Sequence, residues 1–182
     1  MASAIAIIVV LVIEAALLCI AVAFALSAHR ARRSAAPYYP TPARAIRAAL
    51  AAAELHAGER FYDLGAGTGK TLLIAEKEFG ARAIGFEISL LPYWIGKLNL
   101  FIHGSRATLI PKNFFDADLA QADAIFCFLA IRTMQKMEDK VKTGLKPGAR
   151  VVVYAFPLPK MTPTKTITIQ GKWKMFVYKI EK

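Results

Sequence analysis

The ten residues Phe61 to Lys70, FYDLGAGTGK, constrain the fold more than any other stretch of this chain. An apolar run ends in an acid, Asp63, and glycines follow at alternate positions, Gly65, Gly67 and Gly69. Thr71 to Ile74 then resume a helix-compatible pattern, so the stretch predicts a strand, a tight loop and a helix. Glycine is needed where φ turns positive or where backbone approaches a ligand more closely than a Cβ permits. The helix that follows aims its unsatisfied N–H groups at whatever sits in the loop. A second acid, Glu87, closes the next apolar run (Ala83 to Phe86), 24 residues after Asp63. An acid at the end of a second strand is placed to accept hydrogen bonds from a ribose diol.

Loop spacing narrows the ligand. Dinucleotide folds use G-x-G-x-x-G and cradle a pyrophosphate. Here the pattern is D-x-G-x-G-x-G, with a carboxylate at the mouth, which suits a cationic or amine-bearing ligand and argues against a dehydrogenase. The stretch resembles motif I of the class I methyltransferases that use S-adenosylmethionine. That resemblance implies cofactor binding by Asp63, Gly65, Ala66, Gly67, Gly69 and Glu87, with the first acid holding the amino group of the methionine part.

Residues 2 to 27 carry one charge, Glu14, and no Lys or Arg. About 24 such residues in a helix span ~36 Å, enough for a ~30 Å hydrocarbon core. The run is too long for the core of a signal peptide and no basic region precedes it, so it reads as a retained membrane span, residues 1–28. His29, Arg30, Arg32 and Arg33 follow at once. The positive-inside rule then puts the N-terminus outside and the rest on the cytoplasmic face, or the matrix face in a mitochondrion. An ionised acid near mid-span costs roughly 2.5–3.5 kcal/mol on insertion scales, so Glu14 is read as a tolerated neutral acid or as one partnered by another intramembrane helix.

All 24 basic residues lie beyond residue 28, against 12 acidic ones, which leaves +12 on the remainder. They are scattered, and no nucleic-acid motif accompanies them, so anionic lipid is the expected partner and nucleic acid is not. Cys19 in the span and Cys127 in an expected buried strand cannot pair, which fits a reducing compartment. The three histidines form no ligand cluster with cysteine, so no metal is expected.

Residues 29–42 read as a basic and Pro-rich juxtamembrane linker, and 43–182 as one domain. Thr41 is the expected N-cap of a helix Ala43–Leu55, with Pro42 at its first position. A helix Leu90–Ile102 follows, with Leu91, Ile95, Leu98 and Ile102 expected on its buried stripe and Trp94 and Phe101 in the core. Strands are expected at Ala107–Ile110, Ala122–Leu129 and Val151–Phe156, and a helix at Thr133–Leu145. Alternation of strand and helix implies βαβ units and a parallel sheet. Thr166–Gln170, a Gly171-Lys172 turn and Trp173–Ile180 read as a terminal hairpin.

In such a sheet the ligand lies beyond the carboxyl ends of the strands, here the glycine loop, Glu87, Asn113-Phe114, Leu129 and Phe156-Pro157. Asn113 is the candidate for an adenine edge and Phe114 for covering the ring. The stretches PYYPTP, DLGAGTGK, GFEIS, NFFDADLAQADAIFCFL and PGARVVVYAFPLP, in this order, resemble the single-span lysine methyltransferases whose mitochondrial members modify the adenine nucleotide translocase and the ATP synthase c-subunit. The resemblance implies a seven-stranded Rossmann-like α/β methyltransferase domain with strand order 3-2-1-4-5-7-6 behind a transmembrane helix, S-adenosylmethionine as cofactor, and a membrane-embedded or membrane-associated protein as substrate. It also implies that Tyr39 and Thr41 fold over the cofactor, while Asn113 departs from the acid often found there. A lysine substrate, pKa ~10.4, must lose a proton before it attacks, and an apolar slot favours that loss. Phe128, Tyr154 and Phe156 are the slot candidates; no catalytic base stands out. Two other readings use the same anchor and cofactor site: methylation of a lipid or quinone head group, and a tethered binding module without turnover.

Overall fold

The computed structural model describes residues 2–34, 40–169 and 173–181. Five strands run parallel: β1 (Arg60–Leu64), β2 (Arg82–Phe86), β3 (Thr108–Ile110), β4 (Ala124–Cys127) and β5 (Arg150–Tyr154). The hairpin strands β6 (Lys165–Ile169) and β7 (Trp173–Lys179) pair antiparallel, and β7 closes on β5. The sheet order is β3-β2-β1-β4-β5-β7-β6, the expected order with its terminal hairpin. The turn residues 170–172 lie outside the described residues.

Successive strand residues point to opposite faces, and the core divides accordingly. Phe61, Phe126, Val152 and Tyr154 pack with Ile46 and Leu50 of helix α2 (Ala43–Ala52) and Leu72 of α3 (Lys70–Phe79). Tyr62, Leu64, Ile125, Val151 and Val153 pack on the other face with Met134, Met137 and Val141 of α5 (Met134–Gly144). Both faces are covered, so β4 is buried at all four positions, which is why it reads as a continuous apolar run. The regular pairing of β4 stops at Cys127, two residues short of the expected Leu129, and α5 is preceded by a 3₁₀ turn at Ile131–Thr133.

Three local expectations are corrected. Pro42, not Thr41, is the N-cap of α2: its carbonyl accepts from Ala45 N at 2.9 Å and Ile46 N at 3.1 Å, which makes Ala43 the first helical residue. The first helix, α1 (Ala2–Ser34), continues through the basic residues into the segment read as linker. The largest difference is α4 (Leu90–Ile102), whose bounds are as expected but whose orientation is reversed. Leu91, Ile95, Leu98 and Ile102, read as a buried stripe, are all exposed, as are Trp94 and Phe101. The inner face is built from Gly96 and Leu100 instead. A Cβ at Gly96 would lie 2.6 Å from Leu109 Cδ2 and 3.0 Å from Gly67 O, so a glycine here lets α4 press against the loop after β1.

Candidate functional site

Because β1 to β5 are parallel, their carboxyl ends share one edge, and the candidate residues collect there. The loop after β1 has Gly65, Gly67 and Gly69 at φ 95°, 53° and 74°, conformations that favour glycine. Gly65 N and Ala66 N donate to Phe86 O at 2.9 and 3.0 Å, which ties the loop to the end of β2. Gly67 N donates to Glu87 Oε2 at 2.9 Å, and Ser89 N donates to Glu87 Oε1 at 2.7 Å. Asn99 of α4 holds the far side of the loop, its Nδ2 donating to Thr68 O at 3.1 Å. The two acids expected at the site are therefore brought to one rim, and both are buried.

Their chemistry describes a ligand. Asp63 is 3% exposed, and burial pushes its pKa up to about 7 against the opposing hydrogen bond from Thr71, with the Glu87 charge adding to the rise. A cation beside it would relieve that cost. Each Glu87 oxygen accepts one backbone N–H and keeps a second lone pair, so the carboxylate can still take two hydroxyls. A diol joined to a positively charged head suits this pair of acceptors, and S-adenosylmethionine is such a molecule.

Asn113 and Phe114 follow β3 at the same edge. Asn113 caps the short 3₁₀ helix Phe114–Asp116, its Oδ1 accepting from Phe115 N at 3.1 Å, which leaves the amide NH₂ as its donor to a ligand. Phe114 is buried and packs on Phe115 with ring centroids 4.5 Å apart and the planes tilted by 43°. Lys140 of α5 pins this turn, donating to Phe115 O and Ala117 O at 2.8 Å each. Thr41 is half-buried just before α2, and Tyr39 lies outside the described residues.

The slot candidates divide. Phe128 and Tyr154 meet edge-to-face with centroids 4.9 Å apart and pack in the core cluster of α2 and α3. Phe156 packs against the cluster on the opposite face of the sheet. Between them Ala155 has φ 76°, and Phe156 N donates back to Tyr154 O at 3.1 Å: a γ-turn of the strained hand, which reverses the chain at the end of β5. Trp173 is the aromatic that sequence reasoning missed. It starts β7, lies 5.9 Å from Tyr154 between centroids, and continues the Phe128–Tyr154 row. Its signal was the hairpin itself, since the antiparallel return to β5 puts Met175 opposite Tyr154 and Trp173 two residues further on, on the same face of the sheet.

Ser27 was also missed. Its Oγ accepts from Leu90 N at 2.7 Å and donates to Ile88 O at 3.4 Å. The end of the apolar stretch of α1 thus sits on the β2–α4 connection, one residue from Glu87. Among the described residues, no group of three or more His, Cys, Asp or Glu is placed to hold a metal ion.

Comparison with known proteins gives this geometry relatives. The ANTKMT methyltransferase domain family matches residues 63–165. The protein-lysine N-methyltransferase of Saccharolobus islandicus (strain REY15A) is 32% identical over 146 residues, 78% of this chain and 91% of that protein. The mouse adenine nucleotide translocase lysine N-methyltransferase is 28% identical over 79% of this chain, and the matched part is 63% of that enzyme's length. The mouse lysine N-methyltransferase of the ATP synthase c-subunit is 31% identical over 57% of this chain, with 42% of its own length matched. Among solved structures, an RNA methyltransferase from Salinibacter ruber in complex with S-adenosyl-L-homocysteine superposes with a TM-score of 0.75 at 25% identity, covering 78% of this chain and 94% of that one.

Proposed function

From the premise that this chain belongs to the ANTKMT methyltransferase domain family and is an S-adenosylmethionine-dependent methyltransferase of the protein-lysine class, we propose that it methylates lysine side chains of a membrane-associated protein. The observation that carries the membrane part is the Ser27 contact: the apolar stretch of α1 ends at the connection that holds Glu87. Residues 4–27 form a candidate span whose most apolar 18 residues have a mean hydropathy of 3.2. Residues 1–28 cross the bilayer, 29–42 join, and 43–182 catalyse. The N-terminus lies outside and the domain on the cytoplasmic or matrix face, because the basic residues follow the span.

S-adenosylmethionine supplies an electrophilic methyl group on a sulfonium. The chain's contribution is alignment and a dry site. Glu87 holds the ribose hydroxyls, Asp63 faces the positive methionine end, and Gly65, Ala66, Gly67 and Gly69 allow the close backbone approach. Asn113 and Phe114 take the adenine, and Thr41 covers the cofactor from the α2 side, with Tyr39 assigned to the same role by the family resemblance alone. Phe128 and Tyr154, joined by Trp173, form an apolar row that desolvates the incoming lysine and so lowers its pKa toward the free amine. Phe156 stands beyond the γ-turn as a second wall.

The test is incubation of membranes lacking this protein with labelled S-adenosylmethionine and the purified full chain. Label in lysine of a membrane protein is expected. Label extracted with lipid or quinone assigns a head-group methyltransferase, and label in RNA an activity like that named for the Salinibacter ruber protein. Cofactor binding without transfer makes the chain a tethered module. Protease protection of the C-terminus in intact cells checks the orientation.

A further inference from the structure

Helix α4 carries apolar residues where water would meet them. Of the eight exposed large apolar side chains outside α1 among the described residues, six lie on this one helix: Leu91, Trp94, Ile95, Leu98, Phe101 and Ile102. At 100° per residue they fall within about 120° of the helix circumference, one continuous stripe. No acid occurs between Leu90 and Ile102, and the single cation, Lys97, flanks the stripe. A soluble monomer rarely exposes so contiguous an apolar surface, and such a patch marks a partner.

Its neighbour says which partner. Leu90 N, the first residue of α4, donates to Ser27 Oγ, and Ser27 is the last residue of the candidate span. The start of α4 is therefore fixed at the depth where the span leaves the hydrocarbon. The apolar part of α1 is exposed except at Phe24 and Ser27 near its end, so α4 meets α1 there and does not run along it. We propose that the outward face of α4 lies in the headgroup–acyl boundary of the bilayer that α1 crosses, so that a span and an in-plane helix hold the domain together. The proposal rests on α1 being a membrane span. A stripe of Leu, Ile and Phe with a Trp and a flanking Lys has the composition of an interfacial helix, Trp at headgroup level and Lys reaching outward. The opposite side of the same helix holds the cofactor loop, through Gly96 against Gly67 O and Asn99 on Thr68 O. Lipid contact on one face thus sets the height of the glycine loop above the membrane, and with it the reach of the crevice to a lysine just outside the bilayer.

The full chain reconstituted in vesicles of phosphatidylcholine with phosphatidylglycerol tests this. Trp173→Phe leaves Trp94 as the sole tryptophan, and Trp94→Phe leaves Trp173. A third chain, with both replaced and Leu11→Trp added, reports on the span. Lipids spin-labelled near the headgroup are expected to quench Trp94 several-fold more than Trp173, and deep acyl labels to quench position 11. Position 11 quenched with Trp94 unquenched overturns the α4 proposal while leaving the span intact. Position 11 unquenched overturns the span reading and the proposal with it. Quenching of Trp94 that needs a co-reconstituted membrane protein gives the face to that protein and equally overturns lipid docking. As a second readout, Leu98→Asp with Phe101→Asp should slow methylation of membrane proteins about tenfold through the cost of charge in an apolar face, while affinity for S-adenosylhomocysteine and melting temperature stay as in the parent. Unchanged methylation overturns the proposal.

Discussion

Helices α3 and α4 flank the same glycine loop and read alike in the sequence, each with apolar residues at helical spacing. They fold oppositely. Helix α3 turns Leu72, Ile74 and Ala75 into the core, whereas α4 turns Leu91, Ile95, Leu98 and Ile102 outward and presents Gly96 and Leu100 to the protein. Periodicity identifies a stripe but does not say what covers it. In α3 the cover is the sheet; in α4 the contact with the sheet is made by a glycine, because close approach to Gly67 O outweighs apolar area there.

The comparison breaks first at Gly96. Gly96→Val puts a branched side chain where a Cβ alone would lie 2.6 Å from Leu109 Cδ2 and 3.0 Å from the loop carbonyl of Gly67. Overpacking of this kind costs about 3 kcal/mol. The loop must move, and titration calorimetry should find no binding of S-adenosylhomocysteine alongside a melting temperature lowered by several degrees. Leu98→Ser on the outer face should stay within about 0.5 kcal/mol of the parent in detergent. Equal destabilisation by both would mean that the two faces of α4 do not differ as described.

The next effect sharpens the role of the loop between the helices. Glu87→Ala removes the acceptor for Gly67 N and Ser89 N together with the lone pairs left for a diol. Hydrogen bonds to a charged group contribute about 1.5–3 kcal/mol, so affinity for S-adenosylhomocysteine should fall about hundredfold. Parent affinity would remove Glu87 from the site.

A chain beginning near Ala35 separates the span from α4. It keeps Thr41, Asp63, Glu87 and all of α4, so it should bind cofactor as the full chain does. In native membranes its rate on a membrane protein should drop roughly thirtyfold, because tethering raises effective concentration without new contacts. In detergent the loss should be smaller. Equal loss in both would make the span part of the active structure, as the Ser27 bonds to Ile88 and Leu90 would then require.

The sheet was legible because strand and helix alternate with little ambiguity, and Asp63, the glycines and Glu87 were legible because their backbone and charge requirements are local. What escaped is set by neighbours distant in sequence. Nothing near Leu91 or Leu98 records that Gly96 is the residue touching Gly67. Nothing near Ser27 records that Leu90, 63 positions on, supplies its hydrogen bond. Trp173 joins Tyr154 only through the register of β7 on β5, and Phe156 parts from it through the positive φ of Ala155. Thr41 lost the cap because Pro42 also offers a carbonyl in extended conformation, and the helix begins one residue later.

The smallest effect is a proton. Buried Asp63 has its pKa raised from 3.8 to about 7, chiefly by desolvation. In the free protein the folded state therefore holds this proton more tightly than the unfolded chain does. The carboxyl's contribution to stability is complete below about pH 4 and is lost as pH rises through about 7. A cationic ligand reverses the preference, because the ionised carboxylate attracts it. Binding of S-adenosylmethionine below neutral pH must then expel the Asp63 proton, while above pH 7 the carboxylate is already prepared. Affinity should rise about tenfold from pH 6 to pH 8, and calorimetry at pH 6.5 in buffers of different ionisation enthalpy should register proton release of less than one equivalent. Asp63→Asn removes the titrating group, so its weaker affinity should be flat over this range. A flat profile in the parent, or an unchanged slope in Asp63→Asn, would place the positive end of the cofactor away from Asp63. The loop shared by α3 and α4 would then hold the cofactor through Glu87 and its glycine backbone alone.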